Sequence, residues 1–331
     1  MKTRKLGNLR VSAIGYGAMG LSHGYGPVPS TDEAVKLIQS AFDMGCTFFD
    51  TAEGYGIGQN ELLVGEALKS FRKEVVITTK FGGPEAVDGK LYSKKYTPKQ
   101  IREHLDASLK RLQTDYVDLY YQHRVSDEDV EEVAETMGQL IIEGKILAWG
   151  QSQSTPDQIR RAHSVTPLTA IQSEYSMMER QFESKVIPLC EELNIGFVPF
   201  SPLASGFLSG KISKGQNYPG DDVRASITRF KDENIEANQP LLDLLKDYAV
   251  IKNATTAQVS LAWLLHKKDF IVPIPGTRSF ERIKENMGSA DVVLTEEEYA
   301  NIESELAKIQ IHGNRTDEDI VFARIKLKSN S

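Results

Sequence analysis

A (β/α)8 barrel, with a hairpin ahead of it and extra helices near its seventh and eighth strands, is the fold class this sequence predicts. Three observations predict it. Short, nearly continuous apolar runs alternate with amphipathic stretches along most of the 331 residues, and strands covered by helices on both faces read that way. The amphipathic stretches begin on capping residues and stop at glycines. Several apolar runs end on a polar residue, namely Asp50, Lys80, His123 and Ser152, and in a barrel function sits at the C-terminal ends of the strands.

The elements follow in order. Arg4–Ser12 reads as a hairpin turning at Gly7-Asn8, because short alternating stretches flank that pair. Ala13–Gly17 is the first barrel strand, and Thr31–Met44 the first helix. Ser30-Thr31-Asp32-Glu33 gives that helix a capping start and Gly45 a stop. Thr47–Asp50 is the second strand, with a helix over 60–68; Val75–Lys80 is the third, with Thr97 capping a helix over 98–112. Tyr116–His123 is the fourth, with a helix from Val130 to Glu143 closed by Gly144. Ile146–Gly150 is the fifth, and Pro156 sits at a first-turn position of the next helix. Thr169–Gln172 is the sixth, with a helix over 183–193; Phe197–Ser201 is the seventh. A Gly/Ser-rich loop and helices over 240–251 and 257–266 come before the eighth strand, Ile271–Ile274. Helices over 280–287 and 296–309 follow it, and the charged tail is 314–331. No linker interrupts the pattern, so residues 1–331 are expected to form one domain.

Composition excludes several classes. A net charge of −7 gives no global field for nucleic acid. No run of about 18 apolar residues exists, so no membrane insertion is expected. Met1-Lys2-Thr3-Arg4-Lys5 leads to no long apolar stretch, so no signal peptide is expected. Cys46 and Cys190 lie in apolar surroundings and read as buried free thiols. That suits a reducing, cytoplasmic compartment. No metal site is expected. Gly15-Tyr16-Gly17-Ala18-Met19-Gly20 is no dinucleotide turn, since no helix and acidic residue follow at the right spacing.

The strand ends supply an Asp, a Tyr, a Lys and a His. A Tyr acts as an acid near neutral pH only if its phenolate is stabilised. A buried Lys cation can do that and an Asp can hold the Lys, while a His can orient or polarise a carbonyl oxygen. Asp50, Lys80 and His123 end the second, third and fourth strands, and Tyr55 follows on the second loop. Neighbouring strands are about 4.8 Å apart, so these ends converge on one rim.

With Asp50-x4-Tyr55, Thr79-Lys80, Gln122-His123-Arg124, Ser201-Pro202-Leu203-Ala204-Ser205-Gly206 and Pro275-Gly276-Thr277-Arg278 in this order, the chain resembles the aldo-keto reductase superfamily over nearly its whole length. It is most similar to the bacterial and plant-type NADP-dependent branch. The resemblance implies a tetrad of Asp50, Tyr55, Lys80 and His123, with Tyr55 as general acid and a reduced nicotinamide carrying the redox chemistry. Lys80 would favour the Tyr55 phenolate, Asp50 would hold Lys80, and His123 would orient the carbonyl.

The resemblance also places NADP(H). Ser152 and Gln172 would bond the carboxamide, with Gln153 beside them, and Tyr175 would stack on the nicotinamide ring. Ser201, Leu203, Gly206, Leu208 and Lys211 would hold the pyrophosphate, a task suited to backbone N–H groups and a cation. Gly276, Thr277, Arg278, Ser279 and Arg282 would meet the 2′-phosphate at a helix start, and Glu285 and Asn286 the adenine. Ser279 stands where relatives commonly carry Lys. Met19, Tyr25, Tyr92 and Phe230 are the expected substrate contacts. They suggest an apolar or aromatic aldehyde or ketone, and the loop 81–96 is the first place to look for specificity. The protein is expected to be a monomer or weak homo-oligomer.

Taken singly, these residues have plainer readings. His123 alone could be a satisfied core histidine, Tyr175 could be core, and Arg278 and Arg282 could be solvated helix-start residues. Two other functions stand beside the reductase. One is a cofactor-binding redox sensor serving a membrane channel, which some relatives of the fold are. The other is an aldolase with Lys80 as Schiff base, which leaves Pro275–Arg278 and the Ser201–Lys211 loop without a role.

Overall fold

The computed structural model describes residues 1–87, 90–316 and 320. It opens with an antiparallel hairpin, β1 (Thr3–Leu6) and β2 (Leu9–Ser12). Gly7 takes φ +51° at the turn, a backbone state that glycine adopts without steric cost. Strands and helices then alternate: β3 (Tyr16–Gly17), α1 (Thr31–Asp43), β4 (Phe48–Asp50), α2 (Gln59–Leu68) and β5 (Val76–Phe81). An antiparallel hairpin follows, β6 (Pro84–Val87) and β7 (Lys90–Ser93), then α3 (Pro98–Leu112) and β8 (Leu119–Gln122). Next come α4 (Val130–Ile142), β9 (Trp149–Ser152), α5 (Pro156–Val165), β10 (Ala170–Glu174), α6 (Val186–Glu192) and β11 (Gly196–Phe200). The last elements are α7 (Asp232–Ala237), α8 (Gln239–Lys252), α9 (Thr256–Lys267), α10 (Phe280–Gly288) and α11 (Glu296–Leu306).

Seven strands form one parallel sheet in the order β11-β10-β9-β8-β5-β4-β3. Residues 271–275 close it into the expected (β/α)8 barrel. Val272 and Ile274 N–H donate to Phe197 and Pro199 C=O on one side, while Gly15 and Gly17 N–H donate to Pro273 and Pro275 C=O on the other. This eighth position forms a bridge at Ile271 rather than the strand expected over 271–274. Pro273 and Pro275 have no N–H to give to a ladder.

Side chains alternate between two cores, as strand geometry requires. Phe48, Leu119, Tyr121 and Val198 fill the barrel interior with Leu6 and Val11, so the hairpin plugs its N-terminal end. Phe49, Tyr120 and Phe197 face the helix shell. Arg4 secures the plug by donating to the C=O groups of Leu265, Lys268 and Ile271. Capping boxes at Ser30, Thr97, Thr155, Thr255 and Thr295 start five of the helices.

Three differences from expectation have local causes. The first strand shrinks to Tyr16–Gly17, and the Ala13 N–H at its expected start goes to Lys2 C=O of the hairpin. The helix expected from residue 183 begins at Val186, since the backbone before it makes a turn in which Glu183 N–H bonds Arg180 C=O and the Val186 and Ile187 N–H groups share Phe182 C=O. The loop expected over 81–96 contains β6 and β7. Residues 317–319 and 321–331 of the expected tail lie outside the described residues.

Candidate active site

Asp50 ends β4, Lys80 sits near the end of β5, and β4 and β5 are paired with Asp50 opposite Thr78. This register lets both side chains reach one point above the barrel. Lys80 is fully buried. Its Nζ donates to Asp50 Oδ1 at 2.6 Å, to Thr51 C=O at 2.7 Å and to the Tyr55 hydroxyl at 3.3 Å. Asp50 Oδ2 accepts from Thr78 Oγ1 at 2.7 Å and from Gln172 Nε2 at 2.8 Å. Burial pulls the Lys80 ammonium down, but Asp50 and then Tyr55 more than offset it, so Lys80 stands above its ordinary value. The cation is therefore kept.

His123 follows β8, and its N–H donates to Phe81 C=O at 3.0 Å. Its ring stands edge-on to Tyr55, with centroids 5.9 Å apart. Burial, then the charges of Arg124 and Lys80, hold it well below the usual histidine range. The Gly82 backbone approaches closely enough to oppose this without reversing it, while Nδ1 has no partner in hydrogen-bonding geometry among the described residues. A neutral imidazole beside a phenol and a buried cation can direct a carbonyl oxygen toward the phenol.

These residues open on a cavity of about 710 Å³, a size suited to small-molecule binding. Asp50, Tyr55, His123, Ser152 and Gln172 border one end. Gln172 gives one of its two amide N–H groups to Asp50 and also lines the cavity. Ser201, Leu203, Gly206 and Lys211 form the wall after β11. Ser201, Ala204, Ser205 and Gly206 all take positive φ there, at +48°, +49°, +54° and +97°. That strained turn leaves open space beside Gly206, the concave backbone that suits an anion. Gly276, Thr277, Arg278 and Ser279 lead into α10, which adds Arg282, Glu285 and Asn286 at the far end. Ser279 caps α10 through the Arg282 N–H. Arg278 is half-buried, and its guanidinium donates to the C=O groups of Tyr25, Gly26 and Pro27. Met19 and Tyr25 line the mouth.

Several expected residues lie elsewhere. Tyr175 is fully buried between Phe197 and Trp263, and its hydroxyl donates to Glu183 at 2.9 Å. It belongs to the shell-facing core and borders no ligand space. Phe200, at the end of β11, is an aromatic on the cavity wall, with the Arg315 guanidinium 5.3 Å from its centroid. Leu208 is buried, and its N–H is taken by Leu203 C=O at 3.2 Å. Gln153 turns away to accept from Glu174 N–H at 3.3 Å. Phe230 packs on Phe207 and Tyr218 in the core. The Tyr92 side chain lies outside the described residues.

Sequence reasoning passed over Phe200, although it directly precedes Ser201 at a strand end. It gave no site role to Arg124, which donates to Ser152 Oγ at 3.2 Å, or to His23, whose ring lies 5.3 Å from that of Tyr55.

Residues 13–307 match the model of the Aldo/keto reductase family. A soybean (Glycine max) protein named "Probable aldo-keto reductase 1" is 40% identical over 304 residues, covering 90% of this chain and 87% of that protein. The glycerol dehydrogenase AKR11B4 from Gluconobacter oxydans superposes with a TM-score of 0.83 at 27% identity, covering 95% of this chain and 97% of that one. An aldo/keto reductase from Klebsiella pneumoniae, solved with NADP and acetate, gives a TM-score of 0.72 at 25% identity, covering 96% and 99%. A family match across the barrel, joined to the soybean likeness over most of both chains, means that this chain belongs to the aldo/keto reductase family.

Proposed function

We propose that the chain is an NADP(H)-dependent oxidoreductase that reduces aldehyde or ketone carbonyls to alcohols, with Tyr55 as the general acid. One observation carries this reading: the buried Lys80 ammonium bonds both Asp50 and the Tyr55 hydroxyl, and Tyr55 and His123 face one cavity.

The residues present fit the coenzyme. The strained turn at Ser201–Gly206 offers a backbone cradle, and Lys211, Arg278 and Arg282 are the cations for its phosphates. Ser152 and the Gln172 amide suit the carboxamide, and Phe200 suits the nicotinamide face. The Klebsiella relative solved with NADP supports the same coenzyme here. When bound, the coenzyme supplies hydride to the carbonyl carbon. Tyr55 gives its hydroxyl proton to the carbonyl oxygen, and Lys80 stands beside the phenolate that remains. Asp50 keeps Lys80 in place, and the neutral His123 ring directs the carbonyl toward Tyr55.

We read residues 1–331 as one barrel domain acting in a reducing compartment. Free, buried Cys46 and Cys190 support that compartment. No helix among the described residues is long and apolar enough to cross a membrane.

The test is loss of NADPH absorbance with a panel of aromatic and aliphatic aldehydes, with Tyr55→Phe alongside. Turnover that vanishes in the variant supports the reading. Tight NADPH binding without turnover on any carbonyl would favour the cofactor-sensing role instead.

A further inference from the structure

Glu53 lies between Asp50 and Tyr55 in the chain and takes no part in the chemistry above. Its contacts among the described residues run to backbone groups and to His104. Its N–H donates to Lys80 C=O at 3.2 Å, and its own C=O accepts from Gly58 N–H at 2.8 Å. Its carboxylate Oε1 accepts from Gly82 N–H at 2.9 Å, and Oε2 meets His104 Nδ1 at 2.8 Å. The side chain is only 15% exposed.

Those contacts span the two loops that carry the chemistry. Gly82 follows Lys80 and Phe81, lines the cavity, and has its backbone against the His123 ring. Phe81 C=O holds the His123 N–H. The segment 80–82 is thus gripped from one side by Glu53 and from the other by His123. Gly82 has φ +74°, and a Cβ there would stand 2.9 Å from the Tyr96 ring. A larger residue there would therefore be strained and would clash with Tyr96. Tyr96 also packs edge-on against Phe81 and against His104. The outer end of the tie is fixed to α3 by His104, whose affinity for a proton is raised by the Glu53 hydrogen bond. Such a bond is charge-assisted and stronger than a neutral one.

We propose that Glu53 is a positioning residue for carbonyl reduction: it ties the Tyr55 loop to Gly82, and so sets the separation of Tyr55 and His123 at which a carbonyl oxygen is held. This rests on the reductase reading. A displacement of about 1 Å in such a constellation can cost roughly 100-fold in rate, whereas a merely structural ion pair would leave kcat unchanged in the folded protein.

The experiment measures kcat and KM for an accepted aldehyde, and NADPH affinity by fluorescence, in the full chain carrying Glu53→Ala, Glu53→Gln or His104→Ala. Glu53→Ala is expected to lower kcat at least tenfold with NADPH affinity within about twofold. Gln can still accept from Gly82 N–H and donate to neutral His104, so Glu53→Gln is expected to recover at least a third of the lost kcat. His104→Ala, which loosens only the outer end, is expected to lower kcat about two- to fivefold. Glu53→Ala with kcat within twofold of the native protein would overturn the inference, as would Glu53→Gln no better than Glu53→Ala. If Glu53→Ala does not fold, an unchanged kcat in His104→Ala overturns it alone. A native protein that turns over no carbonyl overturns the reductase reading and this role with it.

Discussion

The side-chain nitrogen of Lys80 lies 3.3 Å from the hydroxyl oxygen of Tyr55, behind the cavity wall and out of contact with solvent. A cation so placed has one evident use, to stand beside a phenolate. Tyr55→Phe is expected to lower kcat by about 100- to 10,000-fold and to leave NADPH affinity within about twofold. Stopped-flow turnover and fluorescence titration read the two quantities separately. Activity near that of the native protein would remove Tyr55 as the acid.

Lys80→Met reaches further. It leaves the Asp50 carboxylate buried, with Thr78 and Gln172 but no cation. Breaking a buried pair by deleting one partner costs about 3–5 kcal/mol. Urea unfolding should show a loss of that order together with the loss of turnover. Lost turnover with unchanged stability would mean that the pair contributes nothing to the fold.

Phe200 and Tyr175 can be told apart. Tyr175→Phe removes a hydroxyl that donates to Glu183 within the core, and should cost about 1.5–3 kcal/mol while coenzyme affinity holds. Phe200→Ala should weaken NADPH binding with a smaller effect on unfolding. The reverse pattern would return Tyr175 to the nicotinamide.

The two arginines before and on α10 should also separate. Arg282 is exposed on its first turn. Arg282→Ala should weaken NADPH about ten- to 100-fold, by the 1.5–3 kcal/mol of a hydrogen bond to a charged group, and NADH far less. Arg278 also holds the carbonyls of Tyr25–Pro27. Arg278→Ala should therefore raise KM for the carbonyl substrate as well. The double variant should discriminate between coenzymes least. Equal losses for NADPH and NADH throughout would place the 2′-phosphate elsewhere.

Two histidines give stability opposite dependences on pH. His123 is held below the ordinary value of about 6.5 in the folded state. Below that pH the unfolded chain gains a proton that the folded chain does not. Stability from this group is complete above about pH 6.5 and falls as pH drops, by at most about 1.4 kcal/mol per unit. His104 is raised by Glu53, so its contribution is present below the unfolded value and fades as pH climbs through the folded one. Urea midpoints between pH 5 and 8 should slope less steeply in His123→Asn than in the native protein, and more steeply in His104→Gln. Parallel slopes in all three would refute both assignments.

What could be read from the sequence was set by where the information lies. Asp50, Lys80 and His123 each end an apolar run, so their convergence follows from barrel geometry without any side-chain coordinate. Tyr175 and Phe200 both sit at strand ends and offer similar rings. Only the direction in which each side chain leaves the sheet separates them: Tyr175, just past β10, turns to the helix shell, and Phe200, at the end of β11, to the cavity. The eighth strand was legible as an apolar run, but its two prolines deny it a regular ladder. The β6–β7 hairpin did carry a signal, Asp88-Gly89 between short strand-forming stretches. Arg278 read correctly as a cation near the helix start, yet nothing in its neighbours announced the carbonyls of a loop some 250 residues away.

The grip of Arg4 on Leu265, Lys268 and Ile271 joins groups separated by 261 to 267 positions in the chain. Contacts at such separation carry a higher loop-closure cost than local ones. During synthesis Leu6 and Val11 have no complete barrel to enter until the last strand has emerged. The apolar side of the N-terminal hairpin is therefore fully covered only once a segment 261 to 267 positions further along the chain has been made.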